Sequence, residues 1–205
     1  LGGIRMHQGR LEEILPLIAQ AIAENPGLIG FQAGYPFMLC ECGRFDEARP
    51  LFDAGLAADF HHAAYDYLWL PMTTLWADTA AWLGHAEGAA ILYERLAPFE
   101  AQGITTSSTF LGTEGMYLAR MAVVLGRHDD ALGHFERADA LLDALGAPFW
   151  QARNQVEWAT LLSSDGTEAA LQQARELLAK ATATAETHGC GAIERRAKEL
   201  AQALS

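Results

Sequence analysis

Residues 126–142 read GRHDDALGHFERADALL, and this stretch decides the fold of the chain. Its first residue, Gly126, can adopt the left-handed conformation that ends a helix, and the pair Asp129 and Asp130 suits the N-terminus of the next helix. The apolar residues that follow recur at the spacing of one helix face, namely Ala131, Leu132, Phe135, Ala138, Leu141 and Leu142. The stretch therefore predicts a helical hairpin in which one glycine separates the two helices.

The same turn recurs along the chain. Its copies start at Gly9, Gly43, Gly84 and Gly126, roughly 34 to 42 residues apart. No run of comparable length alternates with period two, so a sheet is not expected. The repeat predicts an all-α fold, a right-handed α-solenoid of helix-turn-helix hairpins with about ten helices.

The helical pattern divides the chain into consecutive hairpins within a single domain, residues 1–205. The predicted helices span residues 8–24, 28–42, 45–58, 64–83, 87–101, 108–125, 129–145, 149–163 and 168–187, and a capping helix at about 191–204 covers the end of the stack. Residues 59–62 and 102–108 are predicted to be loops between repeats. Because the pattern already runs at Arg10 and the first hairpin lacks most of its first helix, we expect a segment of a longer protein.

Composition excludes several classes of function. The chain carries 26 acidic and 14 basic residues, a formal charge of −12, which repels nucleic-acid phosphates and argues against direct nucleic-acid binding. No stretch has the roughly 18 uncharged apolar residues of a membrane helix, so no membrane association is expected. An odd number of cysteines, three, fits a reducing cytoplasm better than a secreted framework.

Few residues of the chain are candidates for metal binding or catalysis. Cys40 and Cys42 are two apart, point in different directions on a helix, and are predicted to be core residues rather than paired metal ligands. The densest set of potential ligands is the stretch with the tandem histidines, made up of Asp59, His61, His62 and Asp66. Adjacent histidines diverge, so a solvated loop is favoured over a metal-dependent enzyme using Asp59, His61 and His62. We predict no metal and no cofactor.

Motifs of nucleophilic catalysis and nucleotide binding do not occur in the sequence. The glycine-containing stretch at residues 112–115, GTEG, is interpreted as close packing inside a helix. Acidic pairs such as Asp129 and Asp130 lie at predicted helix starts, where the helix dipole accounts for them. The chain is therefore predicted to have no catalytic residue.

The hairpins resemble tetratricopeptide repeats. Residues 126–138, with Ala131, Phe135 and Ala138 in place, resemble the second half of such a repeat, and residues 9–26 keep Ala21 and Pro26 of the same pattern. The helix before Gly126 fits the first half through Leu118 and Ala119. The resemblance implies a helical stack that binds a partner.

A second resemblance extends over nearly the whole chain. Its motifs, taken in order, are residues 25–27 (NPG), 43–49 (GRFDEAR), Trp69 with Trp76, 126–135 (GRHDDALGHF), 146–149 (GAPF), 151–153 (QAR) and 174–178 (ARELL). Together they look like the C-terminal helical region of large actinobacterial signalling proteins, in which an AAA-type ATPase module is joined to a nucleotide cyclase or a LuxR-type DNA-binding domain. The resemblance implies a cytoplasmic, non-catalytic module of a signalling protein or transcriptional regulator.

The first helices of tetratricopeptide hairpins line a concave groove. Carrying these positions over from the turn glycines nominates, as partner-binding residues, Phe37, Glu41, Thr74, Asp78, Trp82, Met116 and Arg120. The groove would receive a protein or peptide, another domain of the parent chain, or a small ligand. The alternative is a structural spacer or a dimerisation scaffold without a groove ligand, in which Trp82 and Met116 are buried between repeats.

Overall fold

The computed structural model describes residues 2–25, 29–60, 67–106 and 109–204, with residues 29 and 30 described in the backbone only. This part of the chain is almost entirely helical, which confirms the all-α prediction. Its α-helices are α1 (Gly2–His7), α2 (Leu15–Glu24), α3 (Ile29–Glu41), α4 (Phe45–Ala57), α5 (Trp69–Leu83), α6 (Ala86–Leu96), α7 (Glu114–Val124), α8 (His128–Ala144), α9 (Pro148–Asp165), α10 (Glu168–His188) and α11 (Gly191–Ala203). No helix in these ranges is long and apolar enough to cross a membrane.

The helices pack as hairpins that follow one another along the chain. α3 packs against α4, α5 against α6, α7 against α8, and α9 against α10. The first helices also contact one another in order, α3 with α5, α5 with α7, and α7 with α9. They therefore form a row, and side chains that are distant in the sequence meet along it.

The two ends of the helical array also meet. α11 packs against α9 and α10 and contacts α1 as well. Small residues permit this approach: a Cβ atom on Gly9 would lie 3.2 Å from the backbone nitrogen of Ala192, and one on Gly191 would lie 3.3 Å from the carbonyl oxygen of Gln8. The predicted last helix thus contacts both the end of the array and its beginning.

The turn glycines behave as the repeat predicts. Gly43, Gly84 and Gly126 have φ angles of 73°, 60° and 69°, in the left-handed region where a side chain is strained. In each case the next residue donates its backbone N–H to a carbonyl of the preceding helix, as His85 does to Ala80 at 2.9 Å. The predicted role of these glycines as helix C-terminal residues is confirmed.

The prediction of no sheet is wrong at residues 103–113. Strands β1 (Gly103–Thr105) and β2 (Phe110–Thr113) pair antiparallel, with Gly103 opposite Thr113. Gly112 lies in β2 with a φ of 92°, and a Cβ atom there would lie 3.1 Å from the Trp150 ring. The stretch GTEG is therefore a strand end followed by the start of α7, and the glycine serves close packing against α9 rather than a helix interior.

Several predicted boundaries also move. The predicted helix 8–24 is divided into a 3-10 helix, Leu11–Ile14, and α2, with Pro16 in the first turn of α2, where proline is tolerated. The predicted helix 87–101 ends at Leu96 and continues as a 3-10 helix, Ala97–Phe99, because Pro98 cannot supply a backbone donor. Residues 64–66, with which the predicted helix 64–83 starts, lie outside the described residues.

Close packing in the core gives a first testable prediction. A Cβ atom added at Gly88 would lie 2.5 Å from Cζ of Phe52, a ring that is fully buried. We expect Gly88→Ala to lower the free energy of unfolding by about 1–3 kcal/mol, because the ring must move within a filled core. Urea denaturation followed by circular dichroism measures the change.

The matched control is Gly34→Ala. Gly34 is also helical, but a Cβ atom there would meet no atom of the described residues within 4 Å. This variant should be as stable as the parent, or more stable by up to about 1 kcal/mol, because alanine is the better helix former. Equal stability of the Gly88→Ala chain and the parent would contradict the described contact with Phe52.

Candidate functional site

Six charged side chains converge where the row of first helices meets α11. We call them the ionic cluster: Glu41 of α3, Asp78 of α5, Arg120 of α7, Arg153 and Glu157 of α9, and Arg196 of α11. The set contains three carboxylates and three guanidinium groups. Charges that leave water are tolerated only when they are paired and hydrogen-bonded, and the cluster provides that pairing internally.

Arg153 lies at the centre of the cluster and is 1% exposed. Its Nη2 atom donates to Oε1 of Glu41 at 2.6 Å and to Oδ2 of Asp78 at 2.8 Å. Burial, the largest single influence, lowers the pKa of Arg153, but the charge of Glu41 and those of other nearby groups together outweigh it, so the pKa is raised. The side chain therefore stays charged and ties α9 to α3 and α5.

The other half of the cluster is organised around Glu157. Its Oε1 accepts a hydrogen bond from Arg196 at 2.7 Å, and its Oε2 lies 3.7 Å from Nε of Arg120, which also pairs with Asp78. Burial would raise the pKa of Glu157, but the charges of Arg196 and Arg120 lower it to about 2. Burial lowers the pKa of Arg120 to about 10, which still leaves it charged at neutral pH.

Trp82 of α5 is held within the cluster by three interactions. Its indole Nε1 donates to Oε1 of Glu41 at 3.0 Å. The guanidinium groups of Arg120 and Arg196 lie over its ring, 4.7 Å and 5.0 Å from the ring centroid. Cation–π contacts of this kind add to the ion pairs and fix the orientation of the ring.

The cluster reaches the surface in a cavity of about 360 Å³. We call it the α11 cavity; its larger lining side chains are Glu12, Glu41, Phe45, Trp82, Arg195 and Arg196. Arg195 and Glu12 are exposed at its edge, whereas Glu41 and Trp82 lie deeper. The cavity thus offers both signs of charge and two aromatic rings, those of Phe45 and Trp82.

A separate buried carboxyl lies between α5 and α7. Glu114 is fully buried, and its Oε2 accepts a hydrogen bond from the Thr74 hydroxyl at 2.7 Å. Its other oxygen, Oε1, has no hydrogen-bond partner among the described residues. Burial raises the pKa of Glu114 to about 8, so the side chain is largely protonated at neutral pH.

The structure brings together four of the seven residues nominated from the sequence, and two of these are open to a cavity. Glu41 and Trp82 line the α11 cavity, whereas Asp78 is fully buried and Arg120 is 6% exposed. The remaining three, Phe37, Thr74 and Met116, are buried in the core. Five nominated side chains therefore do not face an open groove in this structure.

Arg153, Glu157 and Arg196 are not among the residues nominated from the sequence. The nominated positions were carried over from the turn glycines Gly43, Gly84 and Gly126, whereas α9 is followed by Gly166, which does not belong to the recurring turn, and Arg196 lies on the last helix. Arg153 did belong to the QAR motif at residues 151–153, which was a signal without an assigned role.

The structure describes the cysteine candidates but not the tandem histidines. Cys40 is buried, as predicted, and burial raises the pKa of its thiol to about 12; Cys42 is half-buried, with a pKa raised to about 11 for the same reason. In the tandem-histidine stretch, Asp59 pairs with Arg95, while residues 61–66 lie outside the described ranges. Within those ranges, no three potential ligands lie close enough to share a metal ion.

No protein-family model matches the chain, and no curated protein is significantly similar to it.

Proposed function

We propose that this chain is a non-catalytic interaction module of a larger cytoplasmic signalling or transcriptional regulator. It would bind a peptide, another domain of the same protein, or a small ligand at the α11 cavity. The observation that carries the proposal is the α11 cavity, at which Glu41 of α3 and Arg196 of α11 reach the surface while the buried charges of α5, α7 and α9 hold them in place from behind. Such preorganised polar groups bind a partner without paying the entropy of ordering themselves.

A tetratricopeptide-like right-handed solenoid is the arrangement we propose for the hairpins. It is supported by the turn glycines with positive φ and by first helices that contact one another in sequence order. The hairpin β1–β2, inserted before α7, is a departure from that repeat.

Three free cysteines, two of them buried, favour a reducing setting.

The chemistry of the α11 cavity indicates what kind of partner fits. Glu41 and Glu12 accept hydrogen bonds, while Arg195 and Arg196 donate them, and Phe45 and Trp82 provide apolar contact. A partner with donors, acceptors and a small apolar group close together satisfies this lining. A short polypeptide segment has that combination in its backbone and one side chain.

Charge reversal at the exposed edge tests the proposal. A peptide selected against the chain from a random display library should bind about tenfold or more weakly to Arg195→Glu, because an attractive group becomes repulsive at the opening. The matched control is Arg175→Glu, an exposed arginine of α10 that does not line the α11 cavity. Fluorescence polarisation of the labelled peptide measures both affinities.

Equal binding of that peptide to both variants would contradict a site at the α11 cavity. Substitution of Asp78 or Arg120 is a poor test, since these side chains are buried pairs and their loss changes stability first. Arg195 avoids this difficulty because it is exposed.

A structural role without a groove ligand is the second candidate. The internal balance of the ionic cluster favours it, because its three carboxylates and three guanidinium groups pair with one another. If the chain is a spacer or a dimerisation scaffold, selection from the library should yield no peptide that binds it. The oligomeric state of Arg195→Glu should then equal that of the parent. Light scattering of the isolated chain distinguishes a dimeric scaffold from a monomeric spacer.

A further inference from the structure

A second and larger cavity lies on another part of the molecule. Its volume is about 740 Å³, and it is bounded by α1, β2, the turn between α8 and α9, and the turn between α10 and α11. We call it the α1 cavity; its larger lining side chains are Ile4, His7, Phe110, Leu145, Phe149 and Trp150. Binding sites for small molecules commonly have volumes of roughly 300–1,000 Å³, so the cavity is large enough for one.

One wall of the α1 cavity consists of stacked rings. The imidazole of His7 lies parallel to the ring of Phe149, with 3.7 Å between the ring centroids and an angle of 19° between the planes. Trp150 meets both rings edge-on, 5.1 Å from Phe149 and 6.3 Å from His7. Ring faces and edges held in this way favour another aromatic ring, which adds an offset or edge-to-face contact.

The lining contains no carboxylate, ammonium or guanidinium group. Among the described residues that form it there is no aspartate, glutamate, lysine or arginine, and its titratable side chains are His7, Cys190 and His188, which is exposed at the end of α10. Burial, and then the charge of Arg153, lower the pKa of His7, which keeps this imidazole neutral. Burial raises the pKa of the Cys190 thiol, which therefore also stays neutral. An ionised ligand would lose its hydration without gaining a counter-charge from buried groups.

Two exposed apolar side chains border the α1 cavity. Ile4 of α1 is 61% exposed, and Leu145, at the end of α8, is 51% exposed. Both belong to the lining. Large apolar side chains exposed next to a cavity extend the surface that an apolar ligand can cover, and contiguous apolar surface of this kind marks binding sites.

We propose that the α1 cavity binds a neutral, predominantly aromatic small molecule. The ligand would lie between the wall of His7, Phe149 and Trp150 and the exposed side chains of Ile4 and Leu145. Because the lining joins α1 to the ends of α8 and α10, the bound molecule would also hold the first helix in place. This site is independent of the partner site proposed at the α11 cavity.

A pair of fluorescent probes tests the proposal. Phenylnaphthylamine is neutral and aromatic, and anilinonaphthalene sulfonate has the same ring skeleton with an added anionic group. We expect saturable binding of phenylnaphthylamine at one site, with an affinity about tenfold or more above that of the sulfonate, since the lining offers no lysine or arginine to the anionic group. Fluorescence titration of the full chain measures both dissociation constants.

Variants locate the binding site. Leu145→Glu places a carboxylate at the edge of the α1 cavity and should weaken phenylnaphthylamine binding about tenfold. Leu17→Glu is the matched control, because Leu17 is 57% exposed on α2 and lines no cavity described here. A second control is Leu51→Glu, since Leu51 lines another apolar cavity, of about 320 Å³, between α2, α3 and α4.

The outcomes separate clearly. Loss of binding in Leu145→Glu alone supports the proposal. Loss in Leu51→Glu with full binding in Leu145→Glu would assign the probe to the other cavity and overturn the proposal. Equal affinity for the sulfonate would overturn the neutral class of ligand, and the absence of saturable phenylnaphthylamine binding would overturn the site itself. All three positions are exposed in the folded chain, so circular dichroism should show unchanged helicity.

Discussion

Replacement of Arg153 by methionine should lower the free energy of unfolding by about 3 kcal/mol. Removal of one partner from a buried ion pair costs about 3–5 kcal/mol, because the remaining charge stays buried and uncompensated. We expect the lower end of this range, because Asp78 still pairs with Arg120 and Glu41 still accepts the hydrogen bond from the Trp82 indole. Chemical denaturation by urea, analysed as a single transition, measures the loss.

The origin of that loss can be tested with a second substitution. Adding Glu41→Gln to Arg153→Met removes the carboxylate that the first change leaves unpaired, and should recover part of the stability. The matched control adds Glu47→Gln, an exposed carboxylate of α4 that pairs with Arg44, and should recover nothing. If both double variants were equally stable, the unpaired charge of Glu41 would not be the cause.

The pH dependence of stability should carry the signature of Glu114. Burial raises the pKa of this carboxyl from 4.5 to about 8 in the folded chain. Between these two values the folded state holds a proton that the unfolded state has released, so stability decreases as pH rises and levels off above about 8. We expect this one group to lower the free energy of unfolding by roughly 3 kcal/mol between pH 5 and pH 8.

The variant Glu114→Gln isolates the effect. The amide has no proton to lose, so the difference in stability between variant and parent should grow in favour of the variant as pH rises. This comparison cancels His7, whose lowered pKa makes stability increase with pH below about 6.5 in both chains.

The matched control for that variant is Glu199→Gln, which removes an exposed carboxylate of α11 and should give a profile parallel to the parent. Urea denaturation at half-unit steps of pH supplies the curves. A constant difference between Glu114→Gln and the parent across this range would show that Glu114 does not keep its proton on folding.

The sequence predicted the hairpins well because local physics determines them. Gly43, Gly84 and Gly126 end their helices in the left-handed conformation, and the following helices begin within two residues of the predicted starts. Apolar spacing and a glycine at the turn act within one hairpin. They do not depend on how the hairpins are arranged relative to one another.

The sequence does not predict the hairpin β1–β2, because its strands are too short to show an alternating pattern and because it depends on contacts between residues that are not adjacent in the sequence. Ile104 is the buried residue of β1, but a strand of three residues cannot display alternation over the length at which it becomes recognisable. The ends of the segment are fixed by hydrogen bonds between its flanking residues, since the backbone N–H groups of Glu114 and Gly115 donate to the carbonyls of Gln102 and Glu100. Only the folded chain reveals these partners.

The candidate site was predicted in part. Counting from the turn glycines identified Glu41, Asp78, Trp82 and Arg120, which do converge. The counting of positions does not show that the charges of Asp78 and Arg120 neutralise each other inside the protein. Counting also could not identify Arg196, which lies on the last helix and joins the cluster because α11 packs against α9.

The contact between α1 and α11 changes how the array should lose its structure. In an open array each repeat interacts only with its neighbours, so the terminal repeats fray at little cost and unfolding spreads inward. Here Gly9 and Gly191 bring α1 and α11 into contact, so release of either helix also exposes the other. The two helices thus protect each other from local opening, and the described array should unfold with the cooperativity of a single compact unit.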